Sequence, residues 1–209
     1  MGKMVLGRRW RPWVAVACLA ISGAAFAADV NKLVAVCSDC HGKLGASTDP
    51  NVPIIGGYSS EFLVDNLKDY QTKDRDCPET KYVSGSKKGQ KTDMCQVIKG
   101  FSDADIKAVA GYFAKQKFVC AKQKFDPDLA KKGESVHADY CEKCHSKNGT
   151  ESVDDTGMPG GQWTPYLRHA IEEFQTEKRP IPKKMKAKLD EVDKPGLEAL
   201  VNFYAKQCH

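Results

Sequence analysis

The sequence predicts an all-α protein built from two tandem domains that repeat one another. Three observations carry this expectation. Cys37, Cys40 and His41 fall on Cys141, Cys144 and His145 at an offset of 104. Apolar residues recur at helical spacing in both halves, and no convincing alternating strand pattern interrupts them. Once a leader is set aside, the 209-residue chain leaves two units of about 90 residues each.

The first 27 residues read as a secretory leader. Lys3, Arg8, Arg9 and Arg11 make a basic start, Val14 to Phe26 is apolar, and Ala25-Phe26-Ala27 is a small-x-small cleavage site. The apolar run is shorter than the roughly 20 residues a membrane-spanning helix needs, so no stable membrane insertion is expected after cleavage. All four leader charges are basic, so the net charge of +5 falls to about +1 in the mature chain. That balance excludes the clustered basic field of a nucleic-acid binder. Lys87, Lys88 and Lys91 form the densest basic tract and read as a solvated loop.

The repeat extends well beyond the cysteines. At the same offset Gly56-Gly57 falls on Gly160-Gly161, Phe62-Leu63 on Tyr166-Leu167, Tyr70-Gln71-Thr72 on Phe174-Gln175-Thr176, and Arg75 on Arg179. The register then slips by 13, and Val109 to Gln116 (VAGYFAKQ) matches Leu200 to Gln207 (LVNFYAKQ) at an offset of 91. An insertion therefore lies between Arg75 and Met94, and its Pro, Gly, Ser and Lys content is that of a surface loop.

Helices are expected in order along each half. Leu33 and Val36 lead into the first motif, and Leu129, Val136 and Tyr140 lead into the second. Ser59 and Thr164 are N-cap candidates for the middle helices, with Pro165 at the first helical position. Ser102 with Asp105 has capping-box spacing before Ile106, Val109 and Phe113. Lys117 to Pro127 reads as a linker, with Asp126-Pro127 starting the next helix. The expected boundaries are 1–27 for the leader, 28–122 for the first domain and 123–209 for the second.

Eight cysteines survive cleavage. Export places them in an oxidising compartment, the periplasm, so the four outside the motifs suggest two disulfides. Four cysteines allow three pairings. Cys77–Cys95 is preferred because the pair flanks the insertion, and Cys120–Cys208 because each lies just past a helix. Closing the first loop contributes about 3 kcal/mol on a chain-entropy account.

The C-x-x-C-H spacing suits covalent attachment of haem c, two in all. The thiols of Cys37 and Cys40, and of Cys141 and Cys144, add to vinyl groups, while His41 and His145 reach the iron. Structural zinc pairs sit much closer in sequence than these two motifs do. The mature chain has three methionines, Met94, Met158 and Met185. Met94 falls on Met185 at the offset of 91 that aligns the last helices, which marks both as axial thioether ligands. Met158 aligns with Ile54 and reads as packing near the haem edge. His137, His169 and His209 have no counterpart in the repeat; a hydrogen-bonded or solvent-facing role is expected for His137. Tyr112-Phe113 and Phe203-Tyr204 are expected to pack.

These features resemble tandem class I cytochromes c. YCEKCH (Tyr140–His145), GQWTPYL (Gly161–Leu167), KRPIPKKM (Lys178–Met185), KGFSDADIKAVAGYF (Lys99–Phe113) and AKQKFD (Ala121–Asp126) most resemble the dihaem cytochrome subunit of flavocytochrome c sulfide dehydrogenase. The fold so implied is all-α, with two tandem class I cytochrome c domains related by an internal repeat. The resemblance implies His41 with Met94 and His145 with Met185 as axial pairs. It also implies an FAD-containing sulfide dehydrogenase subunit as partner and a downstream electron acceptor. The longer first-domain insertion and the four extra cysteines depart from that pattern. No G-x-G-x-x-G follows a strand, so any flavin chemistry belongs to another chain. A free-standing dihaem shuttle, or a haem enzyme acting on thiosulfate or peroxide, would share the same motifs.

Overall fold

The computed structural model describes residues 1–2, 29–152 and 155–207. The body of the expected leader, and Cys208, lie outside them.

Helix α1 (Val30–His41) begins where the Asp29 carboxylate accepts from the Asn31 amide, and it turns Leu33, Val34 and Cys37 inward. Helix α2 (Ser60–Thr72) is capped by Ser59, whose hydroxyl accepts from Phe62 N at 3.1 Å. A short helix α3 (Met94–Ile98) follows the insertion, capped by Asp93. Helix α4 (Asp103–Ala114) opens with the full Ser102/Asp105 capping box, which satisfies two orphan donors reciprocally. Leu33, Val34, Leu63, Val109, Ala110 and Phe113 close the first core. Truncating a residue as buried as Phe113 costs about 3–5 kcal/mol.

The second domain repeats the plan. Helix α5 (Pro127–Val136) is capped by Asp126 and carries Pro127 in its first turn. It runs on into a π-turn over His137–Cys141, and a brief turn α6 (Ser146–Gly149) follows the second motif. Helices α7 (Thr164–Gln175), α8 (Lys183–Leu189) and α9 (Lys194–Lys206) complete the domain. Leu167, Leu200, Val201, Phe203 and Tyr204 form its main core. Helices α5 and α9 cross at Gly133, where a Cβ would overlap the Ala199 carbonyl and the Phe203 side chain. Glycine is there because the backbones approach too closely for a side chain.

Two expectations are corrected. Thr164 does not cap α7: Trp163 holds the N-cap position without a side-chain bond, and Thr164 and Pro165 both lie in the first turn. The exposed donor is met from the linker, since Gln123 Oε1 accepts from Thr164 N at 2.8 Å. The insertion is solvent-exposed over 84–91 as expected, but it is held on a strand pair that the sequence did not predict. Strands β1 (Thr80–Lys81) and β2 (Lys91–Thr92) pair antiparallel, Thr80 with Thr92 and Lys81 with Lys91. Tyr82 and Thr92 are buried beneath this hairpin, an apolar and polar anchorage that lysine-rich composition concealed. The Cys77–Cys95 disulfide forms across its base, with Cα atoms 5.9 Å apart. Cys120 is also disulfide-bonded. Among the described residues no helix is long and apolar enough to cross a membrane.

Candidate haem and electron-transfer site

Near the C-terminal end of α1, residues 37, 40 and 41 are spaced i, i+3 and i+4, so they share one helix face. His41 donates from Nδ1 to the Pro53 carbonyl at 2.8 Å. His145 makes the same bond to the Gly157 carbonyl at 2.9 Å, and 53 and 157 are again 104 apart. With Nδ1 committed, Nε2 is the ring nitrogen left available to a metal, and the ring orientation is fixed. Burial pulls the pKa of both imidazoles down, against the raising effect of the carbonyl bond; at His145, His137 lowers it further. The rings are therefore held neutral, the form that binds metal.

A mostly apolar cleft opens against α1, with the kind of lining usual for cofactor sites. Cys37, Cys40, His41, Met94, Phe113 and Tyr166 line it. The structure thus brings together all four site residues expected in the first domain. Burial, with the neighbouring Cys40, pushes the Cys37 thiol up to about 12. An apolar cleft bordered by two thiols, a neutral imidazole and a thioether fits a covalently held haem.

In the second domain Cys141 ends the π-turn and Cys144 is exposed. Glu142 N donates to His137 O, the i to i+5 bond that swells the helix just before the motif. His137, hydrogen-bonded as expected, is 2% exposed; it bonds the Tyr204 hydroxyl at 3.0 Å and the Glu142 carboxylate. Met185 is half-buried on α8, which packs on both the π-turn and α7. Helix α8 thus lies against the turn that ends at Cys141. Met158 lies across the domain seam, buried in the core of the first domain.

No protein-family model matches the chain. Cytochrome c4 of Stutzerimonas stutzeri is 33% identical over 156 residues, covering 70% of each chain. Cytochrome c4 of Azotobacter vinelandii is 32% identical over 151 residues, covering 68% of each. The chain belongs to the cytochrome c4 family. The crystal structure of reduced recombinant cytochrome c4 from Pseudomonas stutzeri superposes with a TM-score of 0.67 at 26% identity, covering 85% of this chain and 97% of that one. The thiosulfate dehydrogenase TsdBA of Marichromatium purpuratum shares the fold, with a TM-score of 0.63 at 18% identity, over 81% of this chain and 36% of that one. As a cytochrome c4, the protein is a dihaem c-type cytochrome of two tandem domains, with two covalently bound haem c, and it transfers electrons. The relatives support the tandem dihaem grouping rather than the flavocytochrome subunit in particular.

In this cytochrome c4 the two domains meet across a polar seam that sequence reasoning missed. Gln162 donates to the Ile54 carbonyl and accepts from the Ile54 amide, both at 2.9 Å. Tyr58, which aligns with Gln162, donates to the Met158 carbonyl at 2.7 Å. Deeper in, Arg75 grips Glu173 with two bonds of 3.2 and 2.7 Å. Arg75 and Arg179 converge on Asn66 Oδ1. Each also stacks on the ring five residues before it, Tyr70 at 4.6 Å and Phe174 at 4.5 Å. Burial alone would raise the Tyr166 phenol, but Arg179 and Arg75 override it and hold it below the usual tyrosine value. The alignment of Arg75 with Arg179 was the available signal; nothing in it announced burial.

Proposed function

We propose that His41 with Met94 and His145 with Met185 are the axial pairs. In the same reading Cys37, Cys40, Cys141 and Cys144 are the attachment points, in domains spanning 28–122 and 123–209. The chain then works in the periplasm as a carrier that takes electrons from one protein and gives them to another. The observation that supports this is Met94 lining the same cleft as His41 and both thiols. An iron held by imidazole and thioether has no open position for substrate, and thioether ligation favours the reduced state. That arrangement suits electron transfer rather than catalysis.

Haem c supplies a one-electron ferric/ferrous couple when bound. The chain's own residues do the rest. The Pro53 and Gly157 carbonyls orient the two imidazoles. Arg75 pairs with Glu173, and Arg179 meets Arg75 on Asn66 Oδ1; guanidinium groups at the seam would suit the haem carboxylates. Gln162 and Tyr58 fix one domain against the other, which keeps the two centres at constant separation.

The motif resemblance supports a second reading, in which the chain is the electron-accepting subunit of an FAD-containing sulfide dehydrogenase. The relatives' name supports the free carrier. Affinity purification of the mature protein from its native periplasm separates them. A dihaem species without flavin absorbance supports the carrier, and a stoichiometric flavoprotein supports the subunit. Sulfide turnover by the purified cytochrome alone would refute both.

A further inference from the structure

We propose that electrons enter and leave this cytochrome at the thioether edge of the second domain, because the hairpin seals the matching edge of the first. We further propose that the docking partner presents an acidic face. The inference deepens the carrier reading, since it names where that carrier is touched and by what.

The two edges differ although the motifs are equivalent. Cys144 is exposed, whereas Cys40 is half-buried. The cover over Cys40 comes from the insertion. Val83 N and Ser84 N donate to the Asp39 carbonyl at 3.1 and 2.8 Å, and the Ser84 hydroxyl adds a third bond at 3.1 Å. Gly85 lies so close that a Cβ there would collide with the Asp39 carboxylate. The hairpin is fixed at its base by Cys77–Cys95 and anchored by buried Tyr82 and Thr92. The second domain has no equivalent segment: Arg75 to Met94 spans 19 residues, and Arg179 to Met185 spans 6. Electron tunnelling falls off exponentially with the thickness of protein between donor and acceptor. A layer of backbone over one edge therefore directs exchange to the other.

The open edge is basic. Lys143 lies inside the second motif, and Lys183 and Lys184 begin α8 beside Met185; all three are exposed. Lys186 and Lys188 are neutralised by Asp190 and Glu191, but no ion pair reaches Lys143, Lys183 or Lys184 among the described residues. The Lys188 ammonium lies 5.6 Å over the Tyr140 ring, which ties α8 to the turn carrying Cys141. Unpaired lysines in the second motif and at the start of α8, against Asp139 and Glu142 nearby, steer an acidic partner toward these elements. The hairpin also bears lysines, so burial of the edge, not charge, distinguishes the two domains.

The first test reads access directly. A neutral gadolinium chelate is titrated into the fully reduced holoprotein, and relaxation of the haem-methyl protons is measured by NMR. Methyl protons of the second domain should relax several-fold more strongly than those of the first. Replacing Tyr82–Gln90 with Asn-Gly, which joins Lys81 to Lys91 through a two-residue turn, should bring the two sets level. Gly85→Val, which lifts the intact hairpin off Asp39, should move them in the same direction. Equal relaxation in the parent protein overturns the inference, as does a contrast that survives both changes.

The second test reads the docking chemistry with hexacyanoferrate(III) as the anionic acceptor. Each encounter moves one electron: the acceptor becomes hexacyanoferrate(II) and one haem iron passes from ferrous to ferric, with no proton transferred. The Lys143→Glu/Lys183→Glu/Lys184→Glu variant should be oxidised several-fold more slowly at low salt, with the difference lost at high salt. Lys87→Glu/Lys88→Glu should leave the rate unchanged, and the reverse pattern overturns the proposal. Relaxation contrast does not depend on whether the partner is a flavoprotein or another acceptor, so this inference and the carrier reading fail separately.

Discussion

Replacing Glu173 with glutamine preserves shape at the seam but removes the carboxylate that Arg75 grips. The side chains of Arg75 and Glu173 are 4% and 2% exposed, so water compensates neither. Leaving a buried charge without its partner costs about 3–5 kcal/mol. For a protein of this size each kcal/mol lowers Tm by roughly 2–4 °C, so Glu173→Gln should unfold about 6–20 °C earlier. The measurement is far-UV circular dichroism against temperature on the holoprotein, with Glu198→Gln as the internal comparison. Glu198 also pairs with an arginine, Arg168, but those side chains are 40% and 47% exposed, and such pairs contribute less than about 1 kcal/mol. If both variants melt together, the seam pair is not the structural element described above.

Met94→Leu and Met185→Leu should each remove half of the near-infrared thioether-to-iron absorption of the ferric protein and lower one midpoint potential; a variant that keeps the full band was not a ligand variant. Replacing both Cys77 and Cys95 with serine should destabilise the first domain by about 3 kcal/mol in urea unfolding, the entropy of a closed loop of this length. Gly133→Ala should destabilise the second domain by about 1–3 kcal/mol, because α5 must move off α9; an unchanged urea midpoint would show that the crossing relaxes freely. The hydrogen bond from Arg168 holds the Glu198 pKa below its ordinary value. The stability this contributes is present above the unfolded carboxylate pKa and is lost as pH falls through the folded one. Acid titration of parent and Glu198→Gln should therefore converge at low pH, with a gap at neutral pH below about 1 kcal/mol.

Much of the fold was readable because it is written locally. Ser59, Ser102 with Asp105, and Asp126 start helices as their side-chain chemistry dictates. Thr164 misled because a cap is a contest among nearby acceptors, and Gln123 is closer to the need. The motif cysteines and histidines were legible as a repeated spacing, and the carbonyls of Pro53 and Gly157 became meaningful only when the rings were seen to touch them. Arg75, Arg179, Glu173 and Gln162 were not legible as interior residues, because charged and amide side chains default to the surface. Only the docking of one domain on the other buries them. The hairpin was hidden for a similar reason: its lysines announce solvent, while its bonds to Asp39 join residues more than forty positions apart.

The Gln162 amide occupies both backbone groups of Ile54, much as a neighbouring strand would. Cutting the chain in the linker and pulling the halves apart would open that peptide unit, and the buried Ile54 side chain beside it, to water. Each half therefore carries a face shaped to the other, and one amide side chain holds the two in register.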